Sequence, residues 1–246
     1  MYLSLNESDS IEELEKLKRN SSPALTALIM LSLVVVLPLS VLAAEAPASL
    51  MVVEWYGDDK VTVNAIPPSD DSSTNPAYTL LPYHWYITAN YWINPNNKYG
   101  LSTSAVVTAI TASANTWDSQ TSASVFAYKG TTSKSAGKRD RINVISWGSY
   151  QARVIAVTYI WYSGSQILET DMKLNTYYKW SLSGGTGKMD VRNIVTHEFG
   201  HWCGLADLYD DKDYWLTMYG YSDFGETYKQ TLGLGDISGL QAVYGA

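Results

Sequence analysis

Residues His197 to Asp207 read HEFGHWCGLAD, and this stretch sets two histidines, a glutamate, a glycine and an aspartate at fixed spacing. Residues four apart lie on the same face of an α-helix, so His197 and His201 can bind one metal ion. Glu198 follows the first histidine and can reach a metal-bound water rather than the metal, as a general base must. Zinc suits this set, because it lowers the pKa of bound water to about 7 and polarises a carbonyl.

A glycine three residues after His201 predicts how a third ligand is delivered. Gly204 can take a left-handed conformation, end the helix and turn the chain back toward the metal. Asp207 comes three residues later, and a carboxylate oxygen binds zinc at nearly the same distance as an imidazole nitrogen. The third histidine of the chain, His84, lies far upstream. The rival third ligands are the carboxylates of Asp210, Asp211 and Glu226.

The stretch resembles the metzincin metalloprotease signature HExxHxxGxxH, with Asp207 in place of the third histidine. Downstream, Met218 in LTMYGY lies in the range where metzincins place a methionine turn beneath the zinc. The segment LGLGDISGLQAVYG resembles the closing helix of the matrixins, the matrix metalloproteinase branch, with Asp236 at the second acid of that pattern and Gly235 in place of the first. The segment DVRNIVTHEFGH, which begins at Asp190, resembles the start of their active-site helix.

The resemblance implies an α+β fold: a twisted, mainly parallel sheet with an antiparallel edge strand, a backing helix, an active-site helix and a C-terminal helix. It implies a zinc endopeptidase that hydrolyses extracellular proteins, with Glu198 as the general base and Met218 flooring the site. Gly220 stands where some metzincins carry an oxyanion-stabilising tyrosine, which leaves Tyr221 as a candidate for that role. The alternative is a catalytically inactive zinc-binding or adhesion module on the same fold, against which the presence of Glu198 argues.

Hydrophobic periodicity predicts the elements around this motif. We expect a first strand over residues 83–92, with His84 as a surface or hydrogen-bonded residue, and a helix over residues 103–117 that is capped by Ser102. Further strands are expected over residues 124–128, 142–146 and 154–161. The segment GSQILETDMKLNTYYKW resembles the metzincin edge strand above the cleft, which would bind an extended peptide by main-chain hydrogen bonds.

Two acidic residues of that last segment, Glu169 and Asp171, are interpreted as solvated charges on a strand. Calcium binding is the alternative for this pair, but no clear calcium motif surrounds them. Zinc is therefore the one cofactor that the motifs predict.

Composition limits the classes of protein that fit. The 246 residues with 46% hydrophobic content predict one main domain. A net charge of -7 without a long basic run excludes nucleic-acid binding on electrostatic grounds. The single cysteine, Cys203, excludes an internal disulfide framework, and we expect it to be a small packed residue. It also leaves no propeptide cysteine of the kind that matrixin zymogens use as a temporary zinc ligand.

The N-terminal sequence predicts export. An apolar run over residues 24–44 follows Lys16, Lys18 and Arg19 and ends in small residues, which is typical of a signal peptide or, at this length, of an uncleaved membrane anchor. In both cases the remainder lies outside the membrane, so the protein is secreted or anchored. We expect three regions: residues 1–44 as signal or anchor, residues 45–76 as a short pro-segment or N-terminal extension with a hairpin and a linker, and residues 77–246 as the catalytic domain.

Overall fold

A computed structural model describes residues 48–57 and 75–246 of the chain, and these fall within one compact unit, Ala46–Ala246. The predicted signal or anchor and the second half of the predicted hairpin lie outside the described residues. The strands are β1 (Ser49–Gly57), β2 (Ala89–Ile93), β3 (Phe126–Thr131), β4 (Asn143–Gly148), β5 (Val154–Ser163), β6 (Gln166–Asn175), β7 (Trp180–Ser181), β8 (Met189–Asp190) and β9 (Tyr221–Ser222). The helices are α1 (Thr103–Asp118), α2 (Val191–Trp202) and α3 (Leu234–Tyr244).

Seven strands form one mixed sheet in the order β3-β2-β4-β6-β5-β1-β9. The pairs β3/β2, β2/β4, β4/β6 and β1/β9 are parallel, whereas β6/β5 and β5/β1 are antiparallel. The mixed helix and strand content and the mostly parallel sheet agree with the expected α+β class. The first predicted strand is shorter than expected, because residues 83–88 precede β2 and lie outside any strand.

The prediction that the segment after Gly164 forms the edge of the sheet is wrong. Its strand, β6, lies between β4 and β5 and pairs with both of them. A strand that is covered on both faces and paired on both sides buries consecutive residues, and Thr170 to Leu174 are buried apart from the half-buried Lys173. The antiparallel neighbour β5 is not an edge either, because β1 pairs with its other side over Ser49 to Tyr56.

Helix α1 forms where the sequence predicts a helix, and it packs against α2, the helix that carries the motif. Ser102 caps α1, since its Oγ accepts the backbone N–H of Ala105. The indole N–H of Trp117 donates to the backbone carbonyl of Thr196 in α2 at 2.7 Å, and both residues are buried. This bond fixes α2 against α1 near the first histidine of the motif.

The acidic pair of β6 is buried rather than solvated, which corrects the interpretation from sequence. Glu169 and Asp171 are each 1% exposed. The carboxylate of Asp171 accepts the backbone N–H groups of Gly137, Lys138 and Val144, at 2.6, 3.2 and 2.7 Å. That of Glu169 accepts the N–H groups of two further residues of the same loop. The two carboxylates therefore satisfy backbone N–H groups of the loop before β4 and one N–H within β4, and the alternation of the sequence does not encode this role.

The role of Asp171 as an acceptor for backbone N–H groups of the loop, which we call the tether, is testable by Asp171→Asn. The amide keeps the size of the side chain but replaces one acceptor oxygen with a donor, so at least one buried N–H loses its partner. We expect a loss of about 1–3 kcal/mol in the free energy of unfolding, measured by urea denaturation. The control is Asp140→Asn in the same loop, an exposed residue whose ion pair with Lys134 is worth about 0–1 kcal/mol. Equal losses in the two variants would contradict the tether.

Candidate metal centre

Helix α2 carries the two histidines and the glutamate on a fully buried surface. Asp190 caps the helix, because its carboxylate accepts the backbone N–H of Asn193 at 2.9 Å. His197, Glu198 and His201 are all 0% exposed. The four-residue spacing brings the two imidazole rings to a centroid separation of 4.8 Å at an interplanar angle of 87°. The helical pairing expected from the sequence is therefore present.

The turn at Gly204, after α2, brings the chain back toward the two histidines, as the sequence predicts. Gly204 has a φ of +91°, and a Cβ there would lie 2.9 Å from the backbone oxygen of Tyr83. A side chain at this position is thus opposed both by the backbone conformation and by the close approach of the neighbouring segment. Beyond the turn, Asp207 Oδ1 lies 3.1 Å from His197 Nε2 and 3.6 Å from His201 Nε2.

The Nδ1 atom of each histidine contacts a backbone carbonyl, and the Nε2 atom on the other side of the ring faces Asp207. His197 Nδ1 lies 2.7 Å from the carbonyl oxygen of Thr217, and His201 Nδ1 lies 2.9 Å from that of Leu205. A carbonyl can only accept, so both Nδ1 atoms carry the proton. In the neutral rings the Nε2 lone pairs are then free, which is the arrangement that metal-ligating histidines adopt.

Four buried polar atoms of this group have no hydrogen-bond partner. They are His197 Nε2, His201 Nε2, Asp207 Oδ1 and Glu198 Oε1. A buried polar atom without a partner costs about 1–3 kcal/mol, so four of them in one place require an explanation. One ligand atom from each histidine and from Asp207 lie within 4.8 Å of one another. Two nitrogens and one oxygen at this separation fit a single cation.

The rival third ligands are engaged elsewhere or lie outside this group. Asp210 pairs with Lys212 at the surface, and Glu226 accepts Lys229 Nζ at 2.5 Å and Asn193 Nδ2 at 2.9 Å. In the part of the chain that the structure describes, Asp211 joins no group able to hold a metal. Asp207 is therefore the carboxylate that the fold delivers to the two histidines.

A second set of hydrogen bonds, made by α3, fixes the backbone segment that orients His197. The carboxylate of Asp236 in α3 accepts the backbone N–H groups of Thr217 and Met218, at 2.8 and 3.0 Å, and it is 1% exposed. The carbonyl of Thr217 is the one that orients His197. The predicted closing-helix acid thus acts on the metal centre through the backbone next to the methionine, and Met218 is buried beneath α2.

Gly200, between the two histidines, allows Met218 to approach the helix. A Cβ on Gly200 would lie 2.1 Å from Met218 Sδ and 2.9 Å from Trp117 Cζ2. The position of Gly235 in α3 has a comparable cause, because a Cβ there would lie 2.0 Å from the backbone oxygen of Ala77. The glycine that replaces the first acid of the matrixin pattern is therefore required by packing.

The glutamate of the motif is buried and half satisfied. Thr158 in β5 donates its hydroxyl to Glu198 Oε2 at 2.5 Å, while Oε1 has no partner. Burial raises the pKa of Glu198 to about 7, against the opposing effects of His197 and Thr158. A carboxyl group with a pKa near neutrality can both take up and release a proton, as a general base that later acts as an acid must.

The ionisation of the ligand group favours a cation. Burial lowers the pKa of His201 to about 4, so the ring is neutral at pH 7. Burial opposes the charge of Asp207, but the two histidines outweigh this and lower its pKa. Neutral imidazoles and an ionised carboxylate are the states in which these side chains bind metals.

The oxyanion-stabilising role of Tyr221 stays a prediction. Tyr221 lies in β9, and its ring contacts those of Tyr209 and Tyr219 at 5.5 and 5.7 Å. The hydroxyl of Tyr209 donates to Asp207 Oδ2 at 3.2 Å. Sequence reasoning missed Tyr209, although its position two residues after Asp207 was a usable signal.

Three other contacts of the site come from distant segments. Trp55 of β1 stacks on the His197 ring at a centroid distance of 3.8 Å and an angle of 8°. Thr158 and Thr217, described above, hold Glu198 and His197. No local pattern marks these residues, because each acts through a pairing between segments that are far apart in sequence.

Cys203 and His84 are placed as expected outside the ligand group. Cys203 is fully buried, and burial raises the pKa of its thiol well above its ordinary value, which makes it a poor metal ligand. The half-buried His84 contacts the rings of Tyr86 and Tyr244.

A scan against models of known protein families and a search of curated proteins find no match to this chain. Within residues 48–57 and 75–246, no helix is long and apolar enough to cross a membrane.

The contact between Gly200 and Met218 is testable by Gly200→Ala. Alanine favours helix by about 1 kcal/mol over glycine, but the added methyl group overlaps Met218 Sδ. We expect a net loss of about 1–3 kcal/mol in the free energy of unfolding, measured in urea. Adding Met218→Ala removes the overlapping sulfur, so the double variant should cost less than the sum of the two single variants. Strictly additive losses would contradict the contact.

The role of Asp207 is testable by zinc titration against a chromogenic chelator at neutral pH. Asp207→Ala removes one of three protein ligands and should weaken zinc binding by at least ~100-fold, beyond the ~10–100-fold that outer contacts contribute. The matched control is Asp210→Ala, which removes a carboxylate three residues away and should leave the affinity unchanged. Equal affinities of the two variants would exclude Asp207 as a ligand.

Proposed function

We propose that this chain is a zinc-dependent endopeptidase of the metzincin class, similar to the matrixins, with an aspartate as its third zinc ligand. The observation that carries the proposal is the buried meeting of His197 Nε2, His201 Nε2 and Asp207 Oδ1, all without hydrogen bonds, beside Glu198. Two further contacts support the proposal. Met218 lies against Gly200 of α2, and Asp236 of α3 accepts the backbone N–H of Met218. The metzincin pattern connects these same elements.

Zinc is the cation that this donor set favours. Catalytic zinc sites use three protein ligands of the nitrogen and oxygen type and keep a further position open for water or substrate. Calcium and magnesium prefer sets made of oxygen alone, which two imidazoles do not provide. When bound at such a set, zinc supplies Lewis acidity toward the scissile carbonyl and lowers the pKa of the attacking water.

The residues of the chain supply the proton transfers. Glu198 takes the proton of the attacking water on Oε1 and then gives it to the amine that leaves. Thr158 holds Oε2, so the free oxygen keeps a fixed direction. Because Glu198 is fully buried and its pKa is raised to about 7, the same carboxyl group serves both steps near neutral pH.

The sequence supports a proposal for the class of substrate and for its location. We propose an extended peptide or protein substrate outside the cell, because the apolar run over residues 24–44 has the basic flank and small residues of an export signal or anchor. Residues 45–76 are proposed as a pro-segment that precedes the catalytic domain.

The catalytic claim is testable with the zinc-loaded protein and either casein or a quenched fluorogenic peptide library. Hydrolysis should disappear with chelator and return with zinc. Glu198→Gln keeps the shape of the side chain and should lower the rate by ~100-fold to ~10,000-fold, because the base is lost. Zinc content, measured by mass spectrometry, should stay at one ion per chain. Unchanged hydrolysis by Glu198→Gln at full zinc content would contradict the role of the glutamate.

A further inference from the structure

Strand β1 lies in the sheet between β5 and the two-residue strand β9, beside the candidate metal centre. It pairs antiparallel with β5 from Ser49 opposite Tyr162 to Trp55 opposite Ala156, and its register shifts after Trp55. On its other side, Tyr56 and Gly57 pair in parallel with β9. β1 is thus bounded by β5 on one side and by the segment that follows Met218 on the other. Without β1, the side of β5 away from β6 would present free backbone groups, and Thr158 of this strand binds Glu198.

Trp55 covers the ring of a candidate zinc ligand. Its indole is parallel to the His197 imidazole at 3.8 Å, and the side chain is 0% exposed. Its indole N–H has no hydrogen-bond partner. The side chain is therefore held by stacking and by shape, and not by a specific polar contact.

The buried side chain of Lys229 lines one end of the space that Trp55 fills. Lys229 Nζ lies 5.7 Å from the Trp55 ring and 4.5 Å from that of Tyr228. It pairs with Glu226 Oε1 at 2.5 Å and donates to the backbone oxygen of Tyr221 at 3.0 Å. An ammonium group near aromatic faces stabilises a large π-system in this space. The lining consequently favours a flat aromatic side chain over an aliphatic one.

A second contact holds β1 from the outside. Glu54 accepts the hydroxyl of Tyr150 and the Nε2 of Gln151, the latter at 2.9 Å. These two residues lie in the loop between β4 and β5. The outward face of β1 is polar or exposed, as shown by Val52, which is 38% exposed. β1 therefore contacts the rest of the protein through its backbone edges and through the side chains of Val53, Glu54 and Trp55, as a bound peptide does in strand addition.

We propose that β5, β9 and the space around Trp55 form a binding site for an extended peptide with a large aromatic side chain, and that residues 49–57 occupy it as an intramolecular inhibitor. The inhibitory part of this proposal rests on the proposed peptidase function. The peptide runs antiparallel to β5 and parallel to β9, with its aromatic side chain on the His197 ring. Covalent attachment gives β1 an effective concentration on the order of millimolar, so it excludes other peptides.

The binding site is tested first without metal, so that catalysis plays no part. A fluorescently labelled peptide of sequence SLMVVEWYG is titrated by anisotropy, in the presence of chelator, against the full chain and against Trp55→Ala. The variant should bind the peptide at least ~10-fold more tightly than the unaltered chain, because the pocket is empty and β1 is weakened. The same peptide with alanine in place of tryptophan should bind the variant at least ~10-fold more weakly.

The matched control is Trp147→Ala. Trp147 is also a buried tryptophan with an unbonded indole N–H, but its ring neighbours are Tyr99 and Trp180. This variant should bind the peptide no better than the unaltered chain. Should Trp55→Ala fail to fold by circular dichroism, Val53→Asp serves in its place, because it weakens β1 through a core contact and leaves Trp55 and its pocket intact. Equal peptide binding by the unaltered chain, the β1 variant and Trp147→Ala, or no binding by any folded variant, would overturn the proposal.

Restoring zinc separates the two proposals. Trp55→Ala should hydrolyse the quenched peptides at least ~10-fold faster than the unaltered chain, and adding Glu198→Gln should remove this gain. If the variant binds the peptide but hydrolyses nothing when loaded with zinc, the binding site stands and the peptidase function fails. If the unaltered chain and Trp55→Ala hydrolyse equally fast, the inhibition by β1 is refuted while the peptidase function stands.

Discussion

Two backbone carbonyls determine the direction of both candidate ligand rings. Because the carbonyls of Thr217 and Leu205 accept the Nδ1 protons, His197 and His201 present bare Nε2 atoms to one buried point. The carbonyl of Thr217 is placed by the carboxylate of Asp236, which binds the N–H groups of Thr217 and Met218. The candidate metal centre thus depends on a chain of hydrogen bonds that begins in α3 and ends at a ring nitrogen in α2.

Buried carboxylates perform the same task elsewhere in the fold. Glu169 and Asp171 accept backbone N–H groups of the loop before β4, and Asp190 caps α2 and accepts the N–H of Gly184. A chain with one cysteine has no disulfide to restrain such loops. Each buried carboxylate loses hydration but gains two or three charge-assisted bonds, and these fix loop segments that lack strand partners. The loops that shape the site are therefore ordered by buried charge.

The sequence predicted the parts of the site that depend on local geometry. The spacing of His197 and His201, the turn at Gly204 and the return to Asp207 all follow from helix periodicity and from the preference of glycine for positive φ. Sheet order could not be predicted in this way, because the alternation in β6 is equally compatible with an edge or an interior strand. The two possibilities differ only in which distant segments pair with it. The burial of Asp171, the contact of Thr158 with Glu198 and the stacking of Trp55 share this origin, since each joins segments that are remote in sequence.

The position of β1 offers another way to cover the candidate metal centre in a chain without a propeptide cysteine. A cysteine that protects a zinc site does so by donating one strong ligand, whereas β1 covers the site by main-chain pairing along β5 and by the area of one indole. Such contacts are individually weak and are strong together only while the strand is continuous with the chain, because attachment removes the entropic cost of association. The unbonded indole N–H of Trp55 is consistent with this, since nothing polar must be broken when the side chain leaves. The proposed inhibition by strand addition therefore needs neither a thiol nor a ligand exchange at a metal.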